Sequence, residues 1–220
     1  NKAVTWGILS INPALSLELP KQKRKAREQW GEAEVVKALS LCTDLQLRAA
    51  IAVQFSATTR SGELLGLTWD CVDITDLNHA AVHINKSLAR LNRQDMLDIG
   101  NRDIILEFPP IIGSNQNSTT RALKPPKNST SIRTVYLPKT AALLLKDLKV
   151  AQDIDKAIYS DDYHDYNLVF CQENGNPLEQ KYMSRRFKHF SVDAVLPVVD
   201  FYSLSHSGAT AKLRGTRNLK

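Results

Sequence analysis

Arg60 and Glu63 stand in "RSGELLGLTW", residues 60–69, directly after the apolar run "AAIAVQFSATT". An arginine carries its N–H donors in a planar fork, and a carboxylate three residues later lies about one helical turn away. Such a pair can do one of two things. It can tie a helix end together as an ion pair, or it can hold the guanidinium ready for an anion such as a phosphate. A bare guanidinium is costly to bury and is usually paired, so a nearby carboxylate suits both readings. Two further stretches hold groups that could do chemistry. "LKPPKNSTSIRTVYLP" sets Lys124 and Lys127 around a proline turn, with Arg133 in the strand-like run after it. "FYSLSHSGATAKLR" brings Tyr202, Ser205 and His206 to the start of a helical pattern. A glycine-rich phosphate loop, a nucleophile elbow and a paired-histidine zinc motif are all missing from the chain. His79 and His83 are four apart, but the alternating pattern around them is that of a strand, so they read as surface or structural residues.

The elements that must position these groups are legible in outline. A helix is predicted from Glu32 through "EAEVVKALSLC", with acids in its first turn facing the positive end of the helix dipole. "QLRAAIAVQFSAT" is apolar on most faces and reads as a buried helix, followed by a short helix through "SGELLGL". "AAVHINKSL" alternates, with Val82, Ile84 and Leu88 on one side, as one strand would. Residues 89–122 read as a long polar connection, with or without local structure. "TSIRTVYLP" and "NLVFCQ" are strand candidates, whereas "KTAALLLKDLKVAQDI", "EQKYMSRRFKHFSVDA" and "SLSHSGATAKLR" are helical. The expected fold class is therefore α+β, mostly helical, with a small antiparallel sheet.

With 220 residues, 43% hydrophobic and 24% charged, the chain can bury one sizeable core. No apolar run approaches the roughly 18 residues of a membrane span, and the first residues lack a secretory pattern, so no membrane partner is expected. Cys42, Cys71 and Cys171 show no metal-ligand spacing and read as buried thiols of a reducing cytoplasm. The net charge of +6 is unevenly spread. From Phe108 to Lys146 there is no acidic residue, and "KQKRKAR" at 21–27 and "KYMSRRFKH" at 181–189 add basic clusters. This segregation suggests one phosphate-facing side, to which Lys124, Arg133, Arg185 and Arg186 would contribute; ordinary solvated surface charge is the alternative.

In their order and spacing, "TTRSGELLGLTWDCVDI", "LKPPKNSTSIRTVYLP" and "VVDFYSLSHSGATAKLR" resemble the catalytic domain of the tyrosine recombinases, the phage-type integrases. That family pattern runs T-G-x-R-x-G-E-L-x-x-L-x-W-x-D-I, then K-T-x-x-S-x-R-x-V-P-L-P, then H-x-L-R-H opening a helix. The resemblance implies that Arg60 is the first catalytic arginine and that Glu63 supports it. It makes Lys127 the lysine that protonates the leaving 5′-oxygen, with Lys124 as the nearest competitor. Tyr202 then stands where a histidine is usual, Ser205 where the second arginine belongs, and His206 matches the next histidine. Arginine to serine removes a charge and a phosphate-gripping fork, so a damaged site is expected. No tyrosine in the chain has the context of the nucleophile. Residues 1–27 are expected to be the end of a core-binding domain with a basic linker, and 28–220 a catalytic domain cut before its nucleophile. The implied partners are double-stranded DNA and further copies of the protein in a synaptic tetramer, with no metal and no cofactor. A DNA-binding protein that keeps the fold without the chemistry is the alternative, and a helical protein-interaction module a weaker one.

Overall fold

The computed structural model describes residues 2–15, 17, 28–94, 96, 103–110, 118–126 and 128–217, without the side chains of 129 and 215–217. A short helix α1 (Lys2–Thr5) buries none of its residues, and Trp6, Ile8 and Ile11 beyond it are exposed. Helix α2 (Glu32–Leu41) starts where its acids predict. Helix α3 (Leu45–Ala57) comes next, capped by Asp44, whose side chain accepts from the Leu47 N–H.

α3 is the axis of the domain. Leu47, Ile51 and Val53 are buried, and Ala49, Ala50, Ala52 and Ala57 keep its surface low. Low relief lets helices α5 (Lys139–Tyr159) and α7 (Ser203–Arg217) lie against it. Gly208 of α7 marks the closest approach: a Cβ there would run into the Phe55 carbonyl oxygen and stand 3.2 Å from Thr58 Cγ2. Helix α6 (Gln180–Asp193) closes the other end through Phe187, which packs between Trp30 and Phe201 at ring distances of 4.9 and 5.3 Å.

The β structure forms two antiparallel sheets, where one small sheet was expected. β1 (Val72–Asp73), β2 (Ala81–Ile84) and β6 (Arg133–Tyr136) make the first, in the order β1-β2-β6. β3 (Ser87–Asn92), β4 (Leu106–Glu107) and β5 (Thr119–Lys124) make the second, in the order β3-β5-β4. The run "AAVHINKSL" is thus two strands broken at Asn85–Lys86. Lys86 is drawn out of line by hydrogen bonds to Asp70 (2.7 Å) and Thr68 (2.8 Å), which turns the chain from one sheet into the next. That bridge holds the Asp70 carboxyl at about 2: its partial burial pushes the pKa up, but bonds from Lys86, Thr68 and Cys71 outweigh it. The supposed connection 89–122 carries most of the second sheet, which encloses a smaller core of Phe108, Leu123, Leu168 and Cys171.

"NLVFCQ" is not a ladder strand. Asn167 takes a left-handed φ of 57°, and only Leu168 and Cys171 form isolated bridges. The Val169 carbonyl is taken instead by Gln152 Nε2 at 2.8 Å, and Gln152 Oε1 accepts from Trp69 Nε1 at 2.7 Å. The three cysteines are buried and free, as expected.

Helix α4 (Ser61–Leu65) lies directly on the first turn of β3. A Cβ at Gly62 would stand 2.7 Å from Ser87 Oγ, and one at Gly66 2.5 Å from the Leu88 backbone nitrogen. Gly66 has an ordinary φ of −92°, so close approach is the reason for glycine there. Gly66→Ala is expected to push α4 off the strand and cost about 1–3 kcal/mol, the usual range for overpacking. Thermal unfolding of the variant measures this, and an unchanged melting temperature would refute the account.

Candidate active site

α3 ends in a corner that aims Arg60. Thr58 adopts a left-handed φ of 51° and closes the helix. Gln54, fully buried, fixes the residue beyond it: Gln54 Nε2 donates to the Thr59 carbonyl at 2.8 Å, and Oε1 accepts from Thr59 Oγ1 at 2.6 Å. Arg60 is then the N-cap of α4, and Glu63 turns back so that Oε2 accepts from the Arg60 backbone N–H at 3.0 Å.

Glu63 is only 3% exposed and carries two guanidinium groups. Arg60 Nη1 donates to Oε1 at 2.7 Å, and Arg133 Nη2 donates to Oε2 at 3.0 Å. Burial alone pushes the Glu63 pKa up, but the Arg60 N–H, Arg133 and the Arg60 side chain together outweigh it and hold the carboxyl below its usual range. Glu63 is therefore a fixed negative charge at the base of the cluster.

The two arginines differ in what remains free to act. Arg133 reaches over from β6 and also donates to the Ser131 carbonyl (3.0 Å) and the Thr58 carbonyl (3.3 Å). It staples β6 to the end of α3. Arg60 has a side chain 65% exposed. Among the described residues its guanidinium bonds all leave from Nη1, to Glu63 and to Ser131 Oγ at 3.3 Å. Nε and Nη2 are left for another acceptor. This is a charged fork, pinned at one corner and presented outward, with the geometry to grip two oxygens of one anion.

The other expected residues fall around or away from this point. Lys124 ends β5 opposite Ser87, the residue that meets Gly62 of α4, so it stands beside the corner and belongs to a strand rather than a turn. Lys127 and the basic run 21–27 lie outside the described residues. Tyr202 and His206 are exposed at the start of α7, with rings edge to face at 4.9 Å. Ser205 is buried, and its one proton goes to the Tyr202 carbonyl at 2.7 Å. Ser205 therefore offers no donor to an anion. Arg186 is engaged with Asp44 and donates to Gln46 Oε1 at 2.7 Å, at the N-terminal end of α3. Arg185 lines an open cavity at that same end. Arg60 springs from the opposite end of this 13-residue helix, roughly 20 Å away at 1.5 Å per residue. Neither Arg185 nor Arg186 is therefore brought to the Arg60 cluster.

Gln54 and Ser131 were not assigned roles from the sequence. An amide amid the apolar "AAIAVQFSA" signals that it must have a buried partner, and Ser131 occupies the serine of the S-x-R element. Among the described residues, no group of three or more His, Cys, Asp or Glu side chains could hold a metal ion, and no helix is long and apolar enough to cross a membrane.

Comparison with known proteins agrees with this architecture. No protein-family model matches the chain. The tyrosine recombinase XerC-like protein of Caldanaerobacter subterraneus subsp. tengcongensis is 25% identical over 221 residues, covering 96% of this chain and 51% of that protein. The chain thus spans about half of that relative's length. Tyrosine recombinase XerC of Xylella fastidiosa is 35% identical over 78 residues, 32% of this chain and 26% of the relative. Among solved structures, the Tn1549 transposon integrase in complex with transposon right end DNA superposes with a TM-score of 0.63 at 13% identity, covering 89% of this chain and 56% of that one. XerA recombinase gives 0.55 at 16% identity, covering 92% and 57%. The alignment along nearly the whole chain and the shared helical architecture with small antiparallel sheets show that this chain is similar to the tyrosine recombinases and has the fold of their catalytic domains.

Proposed function

We propose that this chain is the phosphate-gripping part of a site-specific DNA recombinase, the kind of enzyme its relatives are named for. One observation carries the reading: the outward fork of Arg60, held at one corner by a buried and ionised Glu63. A scissile phosphate docked there would place two oxygens on Nε and Nη2. As the phosphorus becomes pentavalent, charge builds on those oxygens, and a preset guanidinium binds that state more tightly than the ground state.

The reaction that uses such a grip is a transesterification. A tyrosine oxygen attacks the phosphorus, the bond to the 5′-oxygen breaks, and that oxygen takes a proton. Lys127 is our candidate donor, with Lys124 beside the corner as the competitor. The phosphodiester energy is stored in the 3′-phosphotyrosyl bond, and a 5′-hydroxyl of another strand reverses the step. No tyrosine of this chain is assigned as the attacking residue. Exchange between two duplexes calls for a tetramer of the whole protein on double-stranded DNA, in integration or excision of a mobile element. Residues 1–27 would join this domain, 28–220, to a unit that clamps DNA from the other side.

The Ser205 observation favours a second reading, in which the fold binds DNA without cutting it. A nicked suicide duplex separates the two. The whole protein that contains this chain should form a covalent DNA complex that survives denaturing electrophoresis. If it binds the duplex but leaves no covalent complex, the second reading holds.

A further inference from the structure

The corner that presents Arg60 is a strained one. Thr58 is β-branched and sits at a left-handed φ of 51°, where its side chain crowds the backbone. Strain of this kind persists only where the surroundings over-determine it. Two outside elements press on Thr58: Arg133 of β6 donates to its carbonyl at 3.3 Å, and α7 lies against its Cγ2 at Gly208. The next residue, Thr59, is buried and held from within α3. Fully buried Gln54 engages it twice, donating to its carbonyl at 2.8 Å and accepting from its Oγ1 at 2.6 Å. One bond would leave Thr59 free to pivot; two, to its main chain and its side chain, fix its rotation. That carbonyl belongs to the same planar peptide unit as the Arg60 nitrogen, whose N–H donates to Glu63 Oε2 at 3.0 Å. The Thr59–Arg60 peptide is thus gripped on both sides, by Gln54 at its oxygen and by Glu63 at its nitrogen.

We propose that Gln54 is a positioning residue for the reaction: by clamping this peptide against Glu63, it sets the direction in which the Arg60 fork leaves the backbone. The inference rests on the DNA-cleaving reading above. Gln54 is buried and meets no DNA, so it acts through Arg60. A tilt of about 10° at the Cα of an extended arginine carries its head on the order of 1 Å. A misplacement of that size costs up to about 10²-fold in rate. A hydrocarbon of the same size would fill the core but grip neither group of Thr59.

The test follows covalent complex formation by the whole protein on the nicked suicide duplex, at saturating duplex and per folded molecule. Gln54→Met keeps the volume and removes both bonds. It should slow capture about 10- to 100-fold and leave duplex affinity within about twofold, because the fork acts chiefly in the transition state. Thr59→Val removes only the hydroxyl that donates to Gln54, so it should slow capture by a smaller factor, and Thr59→Ser should recover most of that loss. If Gln54→Met does not fold, the Thr59 pair carries the comparison. Leu148→Ala, in the core near the opposite end of α3, should lower the melting temperature yet leave capture per folded molecule as in the parent. In an Arg60→Ala background, Gln54→Met should add less than about a twofold loss, since the clamp then has no fork to aim. Capture within about twofold of the parent in the folded Gln54 and Thr59→Val variants, or the same factor lost with and without Arg60, would overturn the proposal and leave Gln54 a core residue only. A parent protein that captures no DNA would instead sink the cleaving reading, and this inference with it.

Discussion

Arg60→Ala should abolish most covalent DNA capture by the whole protein while leaving the fold almost untouched. The two effects separate because of where the charge sits. The Arg60 side chain is 65% exposed, and its ion pair is one of three bonds to Glu63. After truncation Glu63 keeps the backbone N–H of residue 60 and the Arg133 guanidinium, so its burial remains compensated. Exposed pairs contribute about 0–1 kcal/mol, and the melting temperature should move accordingly little. Capture is another matter. Loss of one preset donor to a developing oxyanion costs roughly 10²- to 10³-fold, and Arg60 offers two. Arg60→Lys keeps the charge and loses the fork, so it should fall between the alanine variant and the parent, nearer the former. Rates of covalent complex formation on the nicked duplex, beside thermal melts of the same preparations, decide the matter. A large fall in melting temperature with normal capture would return Arg60 to the role of a helix-end ion pair.

Local and distant partners also differ in how legible they are in the sequence. Arg60 and Glu63 are three residues apart, and a single turn of helix joins them whatever the rest of the chain does. The buried helix before them also declares itself, since "AAIAVQF" can hide only in a core. Arg133 is a different case. Its composition suits a DNA contact, but its acceptors are Thr58 and Glu63, 75 and 70 residues away in the chain. Only the antiparallel register of β6 against β2, which sets Arg133 opposite Ile84, brings them together. Arg186 resembles another phosphate ligand for the same reason, and its partner Asp44 is 142 residues distant.

Strand breaks are illegible for a related reason. Alternation records which face a residue takes, not which sheet its strand joins. The parity of Val82, Ile84 and Leu88 resumes on the same side after a single charged residue, Lys86, although a sheet ends there. The second sheet is hidden in 89–122 because Thr119–Lys124 finds its pairing partners some 30 residues back, and its own run mixes Thr, Arg and Leu. Local chemistry is written locally; the scaffold that positions it depends on pairings no short window contains.

Glu63→Ala is expected to damage both stability and capture, which makes it the mirror of Arg60→Ala. Removing the carboxylate leaves the Arg133 guanidinium, 30% exposed, facing Arg60 with no negative charge between them. Breaking a buried pair from one side costs about 3–5 kcal/mol. Here the cost should lie at about 2–4 kcal/mol, because Arg133 keeps two carbonyl acceptors and Arg60 can turn to water. Capture should fall as well, since the fork loses the corner that pins it. Glu63→Gln distinguishes charge from shape. Its carbonyl can still cap the Arg60 N–H, but its amide donors face guanidinium donors, so most of the loss should persist. The pH dependence gives the sharper test. The Glu63 pKa is lower folded than unfolded, with hydrogen bonds outweighing the desolvation that raises it. Such a group adds stability above its unfolded value, near the ordinary 4.5, and that stability is lost as pH falls through the folded one. The parent chain should therefore lose melting temperature on acidification below that range, and Glu63→Gln should lose less of it over the same interval. Parallel profiles for the two proteins would mean that Glu63 is already protonated in the fold, and that the charge assigned to the base of the site is not there.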